Sequence, residues 1–175
     1  KAKGEITSEI VLKNLNIINV FTGEIIKGNI AIDNGIIIGI GEYKGLKEID
    51  YSGRYICPGF IDSHVHIESS MCSPSEFARA ILPRGVTTIV ADPHEIGNVK
   101  GLDGIRYIIE DSKKTPLDVL VMLPSCVPST NFENAGAILN SEDLKELINH
   151  EAVLGLGEMM NYPGVISCDD EVINK

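Results

Sequence analysis

Apolar positions follow two rhythms along the chain, and the change comes near residue 58. Before it the apolar groups are short. Val11-Leu12, Ile17-Ile18 and Val20 form the first, Thr22-Gly23 reads as a turn, and Ile25-Ile26 follows. Asn29-Ile30-Ala31-Ile32-Asp33 alternates, and Asn34-Gly35 then leads into Ile36-Ile37-Ile38. Asn-Gly between β-branched runs is a strong local hairpin signal, because both central residues of the tight turn need positive φ. Residues 10–57 therefore read as short strands, and no cluster of titratable groups stands out among them.

From residue 58 the rhythm becomes strand, loop, helix, repeated. Gly59 to His66 is the first strand of this part. Ser73-Pro74-Ser75-Glu76 gives an N-cap, a proline at the first helical position and a glutamate three residues after the cap. That helix carries Phe77, Ala80 and Ile81 on one face and stops at Pro83-Arg84-Gly85. Val86 to Ala91 is a second strand, and Leu102, Ile105, Ile108 and Ile109 recur at helical spacing. Leu117 to Leu123 is a third strand. Ser141 is expected to cap a helix through Leu144, Leu147 and Ile148, and Ala152 to Gly157 is a fourth strand. Repeated βα units with near-continuous apolar strands imply parallel strands covered by helices. Two α/β architectures fit, an open doubly wound sheet or part of a (β/α)₈ barrel.

Composition narrows the function classes. A net charge of −10 argues against a nucleic-acid partner, because such binders concentrate Lys and Arg. The first βα turn has no Gly-x-Gly-x-x-Gly, so dinucleotide binding has no support. Cys57, Cys72, Cys126 and Cys168 are widely spaced, without a Cys-x-x-Cys, and read as free thiols in a reducing, cytoplasmic setting. No apolar run approaches the length of a membrane span, so no membrane partner is expected.

The chemistry lies at the strand ends. If Gly59–His66 is a strand, His64 and His66 point to one face and offer two imidazoles to one divalent ion. The bland alternative is a polar strand tip. The next strand ends in Asp92-Pro93-His94-Glu95, the third in Pro124-Ser125-Cys126-Val127-Pro128 and the fourth in Glu158. In a (β/α)₈ barrel, the C-terminal strand ends are where functional residues gather. Cys126 has no evident base partner and reads as a buried small residue. His150, at a helix end where a cation is favoured, reads as structural.

Pro58-Gly59-Phe60-Ile61-Asp62-Ser63-His64-Val65-His66 after a small β domain resembles the amidohydrolase superfamily. Extended through Ile67-Glu68-Ser69-Ser70-Met71, and set beside Asp92-Pro93-His94-Glu95-Ile96, Pro124 to Pro128 and Gly157-Glu158-Met159-Met160-Asn161, the pattern is similar to the prokaryotic adenine deaminase family. The resemblance implies an α/β chain forming the first half of a (β/α)₈ TIM-type barrel over residues 58–175. Part of a small β-sandwich domain precedes it over residues 1–57. It implies two divalent metal ions, manganese first, with iron or zinc as alternatives. His64 and His66 match the first-strand ligands and Glu158 the bridging carboxylate. Glu95 matches a catalytic acid/base, and His94, Glu68 and Ser69 are candidate substrate contacts beside Ser70.

The implied reaction is hydrolytic deamination of adenine to hypoxanthine by a cytoplasmic homo-oligomer. Zinc nucleobase deaminases carry Pro-Cys-x-x-Cys, which this chain lacks. Another amidohydrolase acting on cyclic amides, or a module that has lost its site, are the competing readings. The family's remaining ligands, two histidines and an aspartate, have no counterpart here. The chain is therefore expected to be a piece of a longer enzyme holding about half a metal site. Purified by itself, the 175-residue chain is expected to release no ammonia from adenine, which a coupled ammonia assay checks.

Overall fold

The structure, a computed structural model, describes residues 1–175 and divides into two compact units, Lys1–Pro58 and Gly59–Lys175. No helix is long and apolar enough to cross a membrane.

The first unit is a single mixed sheet. Its strands are β1 (Ser8–Asn19), β2 (Glu24–Asp33), β3 (Ile36–Ile40), β4 (Gly45–Asp50) and the short β5 (Tyr55–Ile56). The order is β3-β2-β1-β4. β2 runs antiparallel to β1 and β3, while β4 and β5 run parallel to β1. Asn34 and Gly35 take φ of 50° and 73°, the conformation the hairpin turn demands. The separate apolar groups at 11–12 and 17–18 belong to one strand with a bulge between Leu12 and Leu15. Asn14 occupies the bulge at φ 59°, and its N–H donates to the buried Asn29 Oδ1 at 2.9 Å. Leu15, Ile17 and Ile30 form the small core.

The second unit contains β6 (Phe60–Val65), β7 (Val86–Ala91), β8 (Asp118–Leu123) and β9 (Val153–Leu156), paired in that order and all parallel. This is the first part of a TIM-type barrel. The helices are α1 (Pro74–Ile81), α2 (His94–Lys100), α3 (Leu102–Ser112), α4 (Ser141–Leu144), α5 (Tyr162–Ser167) and α6 (Asp170–Asn174). Ile89, Val121 and Leu123 of the sheet pack with Ile105, Ile108 and Ile109 of α3 in one core. Isoleucines at i, i+3 and i+4 form a single stripe on a helix, which is why α3 docks on that face.

Three local expectations need correction. Ala78, not Ala80, is the buried alanine of α1, so the docked face is rotated from the one read off the sequence. The N-cap of α4 is Asn140, not Ser141. Asn140 and Asp143 form a reciprocal capping box, with Asn140 Oδ1 accepting the Asp143 N–H at 3.1 Å. The helix closes after Leu144, and residues 145–150 continue as turns that still bury Leu147. Finally, α2 forms where the sequence pattern predicts no helix. Its seven residues include Gly97, whose bare Cα lies against Val127 and Pro124, so packing rather than propensity holds it.

Asp111 braces α1 against α3. Its Oδ2 accepts the Ser75 N–H at 2.9 Å, satisfying one of the donors that a helix start leaves unpaired, and its Oδ1 meets Lys114 Nζ at 2.8 Å. The Lys114 hydrogen bond first, then the Ser75 N–H, lower its pKa from the ordinary 3.8 to about 2. Stability from this brace is therefore complete above pH 4 and is lost as pH falls through about 2. Because Lys114 is largely exposed, the contribution is about 1 kcal/mol. Asp111→Asn is expected to lower Tm at pH 7. The deficit should shrink toward zero near pH 2, as thermal melts across pH would record.

Candidate metal centre

β6 ends at Val65, so His64 is its penultimate residue and His66 the first beyond it. Alternation along the strand sends both rings to one side. Their centroids are 4.9 Å apart with planes at 81°, and their Nε2 atoms are 3.1 Å apart. Glu158 follows β9 and brings Oε1 to 3.7 Å from His64 Nε2 and 3.5 Å from His66 Nε2. The circle through these three atoms has a radius of about 2.0 Å, so one ion can lie at bonding distance, about 2.0–2.2 Å, from all three. The donor set fits a divalent metal: two imidazole nitrogens and a carboxylate oxygen, with no thiolate.

The frame behind the donors sets their chemistry. His66 Nδ1 lies 2.8 Å from the Asp92 carbonyl oxygen. A carbonyl only accepts, so Nδ1 carries the hydrogen and Nε2 keeps its lone pair toward the ion. Glu158 is held through its backbone. Its N–H donates to Asp92 Oδ2 at 3.1 Å, and its carbonyl accepts the Ser125 hydroxyl at 2.5 Å. Cys126 is 3% exposed, and its sulfur accepts the N–H groups of Met160 and Asn161 at 3.2 and 3.4 Å. That thiol is a fixture of the segment following Glu158.

The second strand end adds a neighbouring cluster. His94 and Glu95 begin α2 immediately beyond β7. One donor atom from each of His66, His94 and Glu95 lies within 4.8 Å of the others, and the His66 and His94 ring centroids are 4.6 Å apart. The Ser69 hydroxyl donates to Glu95 Oε1, which orients that carboxyl group. Glu68 turns toward the start of α2, where Oε1 accepts the Ile96 N–H at 3.1 Å. Its Oε2 is enclosed without a partner, as are Asp92 Oδ1 and His94 Nδ1. Ser70 closes a local turn by donating to the Ile67 carbonyl at 2.6 Å. His150 lies before β9, away from the strand ends that carry these groups, and its Nδ1 accepts the Ala152 N–H at 3.1 Å.

His64, His66 and Glu158 thus converge, with His94 and Glu95 beside His66. Sequence reasoning missed Asp92 as an organising residue. The available signal was an acid directly before a proline at the end of an apolar strand.

The sequence profile of the amidohydrolase family matches residues 55–175. Over all 175 residues the chain is 65% identical to an adenine deaminase of Clostridium acetobutylicum, spanning 31% of that protein's length. It is 56% identical over 96% of its length to an adenine deaminase of Geobacillus kaustophilus, spanning 29% of that protein. The chain therefore covers about a third of the length of these relatives. Among solved structures, the zinc complex of atrazine chlorohydrolase TrzN from Arthrobacter aurescens TC1 superposes with a TM-score of 0.63 at 16% identity, covering 89% of this chain and 48% of that one. L-hydantoinase from Arthrobacter aurescens gives 0.54 at 15% identity, covering 92% of this chain and 43% of that one. At these identities the two structures establish the fold alone. The profile match reaches from β5 through the four parallel strands and every candidate donor at their ends, and on it the chain belongs to the amidohydrolase family.

Proposed function

We propose that the gene product carrying this chain is an adenine deaminase, converting adenine and water to hypoxanthine and ammonia. The observation that carries the substrate is the 65% identity, over all 175 residues, to a relative bearing that name. The convergence of His64, His66 and Glu158 supports metal-dependent hydrolysis as its chemistry.

In this reading His64, His66 and Glu158 hold divalent metal, with manganese first and iron or zinc as alternatives. The carboxylate and imidazole donors suit such ions without a thiolate. Divalent ions bound there supply hydroxide near neutral pH by acidifying water. Glu95 stands beside the metal donors, with its carboxyl group oriented by the Ser69 hydroxyl. It takes up the proton that water loses and delivers it to N1 of adenine as C6 becomes tetrahedral. The proton of the added hydroxyl departs with the amine as ammonia, and hypoxanthine keeps the hydrogen at N1. His94, Glu68 and Ser69 are assigned to the purine in this reading; without the purine, Ser69 bonds Glu95 and Glu68 bonds the Ile96 N–H. The reading includes a cytoplasmic homo-oligomer acting on this small substrate. The four free cysteines and the net charge of −10 are compatible with a reducing compartment and with no nucleic-acid partner.

The full-length gene product, stripped with chelator and reloaded with manganese, is expected to convert adenine to hypoxanthine, followed by ultraviolet absorbance. Turnover of a cyclic amide in place of adenine, or activity unchanged by chelation, would overturn the reading. Glu95→Gln is expected to lower kcat by about 10²–10⁴-fold with metal content unchanged. Glu158→Gln and His66→Ala should instead lower the metal bound per chain, measured by elemental analysis.

A further inference from the structure

Asp92 is 2% exposed, and a buried carboxylate is costly unless its oxygens are engaged. No lysine or arginine pairs with it. Every partner it has belongs to the candidate metal centre. Its N–H donates to the Val65 carbonyl, between the two histidines, at 3.0 Å. Its own carbonyl accepts the His66 Nδ1 hydrogen at 2.8 Å. Oδ2 accepts the Glu158 N–H at 3.1 Å. Oδ1 and His94 Nδ1 are each enclosed without a hydrogen-bond partner, and they lie 3.4 Å apart.

Gly157 shows how closely this carboxylate is seated. A Cβ built there would lie 2.2 Å from Asp92 Oδ2 and 2.7 Å from Asp92 Cγ. Gly157 does not have positive φ, so its backbone would accept alanine, and the nearest obstacles are atoms of Asp92. The residue before Glu158 is therefore small because the carboxylate occupies the space a side chain would need.

We propose that Asp92 is a positioning residue of the metal centre. From the end of β7 its carboxylate holds the backbone of Glu158, while its main-chain carbonyl fixes the His66 tautomer, so that donors from β6 and β9 already face one point when metal arrives. Donor atoms of Asp92, His94 and Glu158 also lie within 4.8 Å of one another, and recovery of binding by Asp92→Asn distinguishes positioning from direct ligation. Hydrogen-bond partners behind metal ligands commonly govern affinity by about 10–100-fold.

This inference rests on the metal-centre reading above, and the test separates the two. The full-length gene product is freed of metal and titrated with Mn²⁺, with free Mn²⁺ read by electron paramagnetic resonance and apo-protein Tm measured alongside. Asp92→Ala should weaken Mn²⁺ binding by about 10–100-fold, beyond any change in apo Tm. Asp92→Asn keeps an oxygen for the Glu158 N–H and should recover most of that loss. Gly157→Ala should weaken binding in the Asp92 background and cost little more in the Asp92→Ala background, because the clashing carboxylate is gone. If Asp92→Ala does not fold, Asp92→Asn and Gly157→Ala decide the matter. Asp92→Asn should bind near the parent and Gly157→Ala more weakly, and parental affinity in Gly157→Ala overturns the inference. Parental affinity in Asp92→Ala, or an equal Gly157→Ala penalty in both backgrounds, also overturns it. A parent protein that binds no Mn²⁺ overturns the metal reading and this inference together.

Discussion

Parallel pairing of β6, β7, β8 and β9 is the constraint on which the site depends. Parallel strands run with their carboxyl ends at one edge, so residues just past each strand meet there without regard to their distance along the chain. His64 and His66 arrive from β6, Asp92, His94 and Glu95 from β7, Ser125 and Cys126 from β8, and Glu158 from β9. The core beneath, with Ile89, Val121 and Leu123 under α3, contributes the free energy that keeps that edge flush.

Three metal-type donors facing one point are mutually unfavourable without an ion, since lone pairs and a carboxylate crowd together. Hydrogen bonds from behind hold two of them there nonetheless. His66 is gripped by the Asp92 carbonyl and Glu158 by Asp92 and Ser125, while Ser69 holds the neighbouring Glu95. Donors already ordered lose little freedom when an ion binds, which is how a rigid scaffold raises affinity and keeps geometry. The same logic explains why the sulfur of Cys126 spends its acceptor capacity on the N–H groups of residues 160 and 161. The backbone after Glu158 cannot swing while those contacts persist.

Much of this was legible in the residues themselves. Asn34-Gly35 between isoleucine runs specified its hairpin, because asparagine and glycine both tolerate the positive φ that the tight turn needs. Ser73-Pro74 began α1, and the isoleucine spacing 105, 108, 109 marked the buried stripe of α3. The His-x-His spacing put both imidazoles on one face, since a strand has period two. Helix α2 was not legible, since its start is stabilised by Glu68, 28 residues earlier, and its Gly97 is seated against Val127 and Pro124. The cap of α4 differed by one residue because asparagine and serine are near-equal caps and only the capping-box geometry separates them.

Burial leaves a periodic record in sequence, because each buried side chain must recur at the spacing of its own element. The order of the parallel strands and of the helices with an apolar stripe, the facing histidines and the candidate donors at each strand end were therefore legible in the residues alone. Contacts between separate strand ends leave no such record. The Asp92 carboxylate reaches a backbone N–H 66 residues away, and the sequence around residue 92 does not name that partner. The convergence of three donors within 3.7 Å, the buried aspartate behind them and the glycine that makes room for it were decided only when four strands were laid side by side.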